Sequence, residues 1–123
     1  MKRVVITGIG MLSSLGVGVD DIWPKIKEGT SGVNFLKKVD ASDLKTKFGA
    51  EVSEDFNPEE FMDAKEARRS DPFIRFAVAA AALALKDSKL EITDDNSHLV
   101  GSYIGSGIGG IQTFVDNTLV YHD

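Results

Sequence analysis

Three cations, Lys65, Arg68 and Arg69, stand at positions i, i+3 and i+4 of one short segment. On a helix, these spacings place the side chains on one side of a turn. Most such groups are simply a solvated helix face. Because the chain has a net charge of −5, a concentrated positive patch could also dock an acidic partner. Both interpretations stay open on the residues alone.

Two glycine-rich segments could bring the backbone close to a phosphate group. Gly8 and Gly10 follow a β-branched run, but Ser13 stands where a dinucleotide-binding motif needs its third glycine. Residues 105–110 satisfy G-x-G-x-x-G, although a turn packed too tightly for side chains explains them at least as well. Neither segment is followed by a convincing ribose-binding acid. A degenerate nucleotide-binding unit therefore remains an alternative.

The chain contains no cysteine, and this absence excludes more than any other feature of its composition. Without cysteine the chain has no disulfide framework, no thiolate metal site and no thiol nucleophile. The two histidines, His98 and His122, have no base or ligand partner at a recognisable spacing, so we interpret both as structural or surface residues. No serine lies in a nucleophile elbow, and no metal-ligand spacing is present.

Length and composition indicate one globular piece of chain. The 123 residues are 42% hydrophobic and 27% charged, which is typical of soluble folded domains. The acidic balance argues against a surface built to bind nucleic acid. The apolar run after Met1-Lys2-Arg3 is too short for a signal peptide, and no stretch approaches a membrane span. These features predict a cytoplasmic protein.

The first part of the chain predicts a strand followed by a helix. Residues 3–7 are a short apolar run typical of a strand buried on both faces, and glycines mark the turn after it. A helix is predicted from Val19 to Gly29, with Pro24 in its first turn. Its predicted apolar face consists of Ile22, Trp23 and Ile26.

Helix signals dominate the second half. Asn57-Pro58 and Asp71-Pro72 each pair a capping side chain with a proline at the first helical position. Residues 73–85 are apolar almost all round, which predicts an interior helix with neighbours on several sides. Residues 47–52 predict an edge strand, and residues 98–104 a sheet strand whose exit turn leads into a final helix. The order indicates part of an α/β domain.

Four segments taken in order resemble the β-ketoacyl-[acyl-carrier-protein] synthases: residues 3–13, 29–32, 65–71 and 105–110. The resemblance covers essentially the whole chain at the family's spacing and is closest to the type II condensing enzymes. It implies a thiolase-like fold of two similar α/β halves in five layers, αβαβα, in a protein that usually forms a homodimer. Residues 1–123 would be an incomplete N-terminal part of the ketosynthase domain, with no second domain.

The resemblance also implies an activity that this chain cannot perform alone. The family moves an acyl group from acyl carrier protein to a cysteine, decarboxylates malonyl-carrier and joins the two, without cofactor or metal. Its nucleophile is a cysteine at a helix N-terminus, two histidines promote decarboxylation, and an oxyanion hole holds the developing charge. No residue here matches these groups, so the resemblance assigns no catalytic residue and the chain alone is expected to be inactive.

Two sets of residues do match functional positions of the family. Lys65, Arg68 and Arg69 match the basic patch that docks the acidic acyl carrier protein, and Ile108 matches an acyl-pocket residue that gates the growing chain. A non-catalytic module that only holds an acidic partner remains an alternative, beside the degenerate nucleotide binder. Because the family covers residues 73–85 with elements that this chain lacks, poor solubility is expected for the isolated chain.

Overall fold

The computed structural model describes residues 2–122, with His122 described by its backbone alone. Helices account for most of the regular structure in this part of the chain: α1 Val19–Lys27, α2 Ala64–Arg69, α3 Pro72–Ser88 and α4 Ile111–His122. Two 3₁₀ helices span Pro58–Glu60 and Ser97–Leu99. The strands are two residues each: β1 Leu12–Ser13, β2 Gly16–Val17, β3 Asn34–Phe35 and β4 Phe48–Gly49. β1 pairs with β2, and β3 with β4, both antiparallel.

Helix α1 begins at the predicted residue, but its proline lies deeper in the helix than the sequence predicts. It starts at Val19, so Pro24 lies inside the helix and the prediction of a first-turn proline is wrong. Proline has no N–H to donate to the carbonyl one turn back. Of the predicted apolar face only Ile22 is buried, while Trp23 and Ile26 are about half exposed. Lys25 connects the helix to the turn before it, because its ammonium donates to the Leu15 carbonyl at 2.6 Å.

The two predicted sheet strands are not formed among residues 2–122. Residues 3–7 and 98–104 enter no strand pairing, and the second region opens instead with the 3₁₀ helix Ser97–Leu99. Val4, in the segment predicted as a strand buried on both faces, is 96% exposed, and Tyr103, in the second predicted strand, is 100% exposed. A strand exists only when a neighbour satisfies its N–H and C=O groups. The apolar patterns are present, but the described chain supplies no neighbouring strand.

Gly8 and Gly10 let the first segment lie directly against α3. A β-carbon built on Gly8 would overlap the carbonyl oxygen of Ala84, and one built on Gly10 would overlap that of Ala80. The backbone N–H of Ile9, between them, donates to the Asp87 carboxylate at 2.8 Å. These glycines therefore serve close packing on a helix, as glycine does wherever two backbones must approach.

Helix α3 is the longest element and is close to its predicted bounds. Ala79 is fully buried, whereas Ile74, Val78 and Leu85 are each more than a third exposed. A stacked and a tilted ring contact join Phe56 to Phe61 and Phe76, at centroid distances of 6.2 and 5.4 Å. The helix is thus confirmed, but the described chain covers only part of its surface. Among residues 2–122, no helix combines the length and the hydropathy needed to cross a membrane.

A carboxylate organises the loop between β3 and β4. Glu51 accepts hydrogen bonds from the backbone N–H groups of Lys37 at 2.9 Å and Lys38 at 3.0 Å. These two bonds hold the pKa of Glu51 below its ordinary value. Only Phe48–Gly49 of the predicted edge strand 47–52 pairs with a neighbour. The paired strand is shorter than predicted, and beyond it the backbone N–H groups of Lys37 and Lys38 bond to the Glu51 side chain and not to a backbone carbonyl.

Substituting Glu51→Gln tests this contact in the complete gene product, meaning the full polypeptide that the cell makes from this reading frame. The folded pKa is lowered, so the ionised form stabilises the loop above about pH 4.5, and that contribution is lost as pH falls through the lower folded pKa. We expect faster hydrogen exchange at the Lys37 and Lys38 amides in the variant near neutral pH. The difference from the parent should disappear in acid, and a difference that persists there would contradict the assignment.

Candidate functional site

The basic segment forms the short helix α2. Asp63 caps it, accepting a hydrogen bond from the Lys65 backbone N–H at 2.8 Å, and Ser70 ends it in an extended conformation. Ala67, which is 3% exposed, is its buried contact with the rest of the chain. The helix is therefore held by its cap and one small residue, which leaves its longer side chains free to face solvent.

Lys65, Arg68 and Arg69 are all exposed on α2. None of the three makes an ion pair within residues 2–122, where the pairs found are Lys25 with Asp21 and Lys37 with Glu54. Glu66 lies in the same helix and is exposed too. Three unpaired cations on six residues give a local positive patch on an acidic chain, as the sequence predicted.

An apolar hollow borders this helix. It has a volume of about 420 Å³, and its lining includes Phe61, Met62, Ile74 and Val78 together with Arg69. The hollow is open, and it was not predicted because its residues come from three places: the segment before α2, α2 itself with Glu66 and Arg69, and the first half of α3. Positive charge and apolar surface thus lie side by side.

Ile108 lies in a turn just before α4 and is 72% exposed. The turn is fixed at its end, where Gly110 adopts a positive φ of 70° and its carbonyl accepts from the Phe114 N–H at 2.9 Å. Gly109 lies against the ring of Phe73. By contrast, Gly105 and Gly107 have open space where a side chain would be. The tight packing proposed for this segment therefore applies to Gly109, whereas Gly110 is suited to its position by its positive φ.

The junction between α2 and α3 connects the two candidate sites. The Arg75 guanidinium donates to the Ser70 carbonyl at 2.8 Å. Asp71, at the N-cap position of α3, makes no side-chain cap to that helix, so the predicted capping is wrong. Its carboxylate instead accepts from Thr113 of α4, at 2.6 Å from the hydroxyl and 3.3 Å from the backbone N–H. Sequence gives no signal for a contact across 42 positions.

The glycine geometry argues against the nucleotide-binding alternative. Gly8 and Gly10 face the backbone of α3, so the close approach they permit is already taken by protein. The second motif lacks a paired strand before it within the described residues, as a dinucleotide-binding unit requires. His98 is exposed in the 3₁₀ helix Ser97–Leu99, which agrees with a surface role, and the side chain of His122 lies outside the described residues.

Comparison with known proteins identifies the family of the chain. Residues 1–122 match the family model for the β-ketoacyl synthase N-terminal domain. The chain belongs to the β-ketoacyl synthase family. Enzymes of this family are acyltransferases, and the predicted family resemblance is confirmed.

Curated relatives place the chain beside the type II members of the β-ketoacyl synthase family. A 3-oxoacyl-[acyl-carrier-protein] synthase 2 from Synechocystis sp. is 41% identical over 122 residues, which cover 99% of this chain and 29% of the relative. Proteins of the same name from Vibrio harveyi and Coxiella burnetii are each 46% identical, over 90% and 94% of this chain. The chain therefore spans less than a third of the length of these relatives.

A solved structure supports the fold class. The ishigamide ketosynthase/chain length factor superposes with a TM-score of 0.77 at 28% identity, covering 99% of this chain and 31% of that one. The prediction of an N-terminal part of the thiolase-like α/β fold is confirmed by this neighbour and the family model.

Proposed function

We propose that this chain contributes the carrier-docking helix and part of the acyl-chain wall to a condensing enzyme of fatty-acid elongation. The enzyme would join an acyl group and malonyl-carrier into a 3-oxoacyl-carrier, releasing carbon dioxide and free carrier. The observation that carries the proposal is the unpaired basic helix α2 in a chain matched by the β-ketoacyl synthase model over residues 1–122. The function is that of the curated relatives, which carry the carrier protein in their names.

Each candidate residue has a physical task in this proposal. Lys65, Arg68 and Arg69 attract and orient the acidic surface of an acyl carrier protein, because charges across an interface set its register and rate of encounter. Ile108 forms part of the wall that limits the acyl chain. The covalent chemistry requires a cysteine nucleophile, and this sequence has none. The chain itself therefore binds and selects, and it does not form the acyl-enzyme bond.

The proposal also covers the domain organisation, the oligomeric state and the cellular location of the protein. Residues 1–123 form part of a single ketosynthase domain, the working enzyme is a homodimer, and it acts in the cytoplasm. Support for both the dimer and the location comes from the family to which the chain belongs. Size-exclusion chromatography with light scattering and cell fractionation test these two points directly.

The proposed activity is tested on the complete gene product. Purified protein is incubated with acyl-carrier and malonyl-carrier, and the carrier-bound products are measured by mass spectrometry. We expect 3-oxoacyl-carrier two carbons longer than the acyl donor, and loss of product after alkylation of cysteine thiols. Failure of the complete gene product to form any 3-oxoacyl-carrier would reject the proposed function.

Replacing Ile108→Phe in the complete gene product should shorten the longest acyl chain that is extended. A larger side chain in a filled pocket costs about 1–3 kcal/mol, so discrimination against the longest donors should rise about ten- to a hundredfold. The measurement is the relative rate with donors of increasing length. Ile26→Phe on α1 makes the same size change at another exposed isoleucine and should leave the profile unchanged. An unaltered profile in Ile108→Phe would remove this residue from the acyl wall.

A further inference from the structure

We propose that Asp71 and Thr113 are positioning residues for Ile108, and that their contact sets which acyl lengths the enzyme accepts. This inference rests on the proposed function and adds a specificity device to it. The contact joins the start of α3 to the first turn of α4, across 42 positions of sequence. Neither residue would touch the acyl chain, since each acts through the turn that carries Ile108.

The first observation is that the Asp71 side chain hydrogen-bonds to α4, although Asp71 precedes α3 and would be expected to cap that helix. Asp71 occupies the N-cap position of α3 with extended backbone, yet its side chain makes no hydrogen bond to the α3 N–H groups. Both of its carboxylate oxygens are used by Thr113, one by the hydroxyl and the other by the backbone N–H. Thr113 lies in the first turn of α4, where N–H groups have no partner within the helix. Asp71 therefore caps α4 from α3.

The second observation is that the residues around Ile108 are held on one side only. Gly110 places its α-carbon beside the Asp71 carboxylate, since a β-carbon built there would lie 3.6 Å from Oδ2. Gly109 abuts the Phe73 ring, with a built β-carbon 3.2 Å from the ring. Gly105 and Gly107, before Ile108, have no neighbour within contact distance of that position. The position of Ile108 is thus set from the α4 side.

The rest of α4 does not supply an alternative anchor of this kind. Phe114, Leu119 and Tyr121 are each at least 61% exposed, so the side chains along the helix make little contact with the described chain. Glycines on both sides of Ile108 leave the turn free to adopt several backbone conformations. If the Asp71 contact is lost, the first turn of α4 loses its cap and Ile108 is no longer fixed relative to α3.

The position of Asp71 also places this device next to the carrier-docking helix. α2 ends at Arg69, Ser70 is its C-cap, and Asp71 follows at once. Arg75 holds the Ser70 carbonyl from within α3. One short junction therefore fixes the direction of α2 on one side and the start of α4 on the other.

The test uses four single variants of the complete gene product and one double variant, Asp71→Ala with Thr113→Val. Asp71→Ala removes both hydrogen bonds of the contact, whereas Thr113→Val removes the bond from the hydroxyl and keeps the one from the backbone N–H. Thr113→Ser keeps the hydroxyl and should behave like the parent. Thr118→Val is the matched control, because it removes a threonine hydroxyl from the same helix that donates to the Phe114 carbonyl at 2.7 Å within α4. The readouts are the relative rates with acyl donors of increasing length and hydrogen exchange at residues 111–113.

We expect Asp71→Ala and Thr113→Val to lower the discrimination between the longest accepted donor and the next longer one by about tenfold, the lower end of what one hydrogen bond to a charged group contributes. Exchange at residues 111–113 should quicken in both, and the double variant should lose no more than Asp71→Ala alone, because that change already removes both bonds. A general loss of folding would lower all rates together and leave the ratio unchanged.

The outcomes separate this inference from the function on which it rests. A gene product that elongates, and whose Thr113→Val variant keeps the profile of Thr118→Val, overturns the role of the contact and leaves the proposed function intact. Absence of elongation by the parent protein overturns the proposed function itself. A changed profile in Thr113→Val that Thr113→Ser restores supports the inference.

Discussion

Incubated with acyl-carrier and malonyl-carrier, the 123-residue chain alone is expected to release no 3-oxoacyl-carrier. The reason is chemical, because the sequence contains no cysteine to accept the acyl group. Loss of a nucleophile typically lowers kcat by about 10⁶-fold, which places any residual rate below detection. The measurement is product formation by mass spectrometry over a range of chain concentrations, with the complete gene product as the positive control.

Cysteine alkylation makes this experiment specific. A contaminating synthase from the expression host would be inhibited by a thiol reagent, whereas a chain without cysteine would not. Product that rises with chain concentration and survives alkylation would therefore contradict the prediction. Binding of carrier protein without turnover would instead favour the non-catalytic docking module, which the exposed helix α2 also allows.

Reversing charges on α2 is expected to have the second largest effect. In the complete gene product, Lys65→Glu combined with Arg69→Glu should weaken the binding of acyl carrier protein about ten- to a hundredfold at low salt. Each exposed pair lost costs up to about 1 kcal/mol, and the new like charges repel the acidic partner in addition. The measurement is the Kd for carrier at several salt concentrations. Because the Debye length falls from about 30 Å at 0.01 M to 10 Å at 0.1 M, the difference in Kd between the variant and the parent should become smaller as salt is added.

A double variant elsewhere on the surface controls for net charge. Lys27→Glu with Lys86→Glu reverses two exposed cations at the ends of α1 and α3, and changes the total charge by the same amount. We expect carrier binding close to that of the parent. Equal weakening in both double variants would mean that overall charge, and no particular patch, governs the encounter. Unchanged binding in the α2 variant at low salt would reject α2 as the docking helix.

Local signals in the sequence predicted the helices well. Asn57 accepts the hydrogen bond from the Glu59 N–H that its capping role requires, at 3.1 Å. The alanine-rich run after Pro72 forms α3 within a few residues of its predicted end. The cations of α2 share one short helix and are exposed, as their spacing indicated. In each case the cause lies within a few residues of its effect, so a single sequence is enough.

Features that depend on distant partners could not be predicted in the same way. The strand patterns at residues 3–7 and 98–104 are typical of a buried sheet. A sheet forms only where neighbouring strands are present, however, and the sequence pattern does not show which strands those would be. The contact of Asp71 with Thr113 is equally hidden, since the same Asp-Pro pair is an ordinary helix start in isolation. Gly8 and Gly10 could be recognised as special, but their partner in α3 could not.

The exposed apolar segments at residues 3–7 and 99–104 also bear on how such a protein is made. A ribosome adds about 5–20 residues per second, and domains emerge N-terminal end first. Val4 and Ile6 are at least 84% exposed, so a nascent chain in this conformation exposes apolar, strand-forming sequence that can pair with other chains. Such surface is a substrate for holding chaperones. At that rate the 123 residues take roughly 6–25 s to synthesise, and during this interval the rate of translation, as well as the sequence, affects whether these segments fold or aggregate.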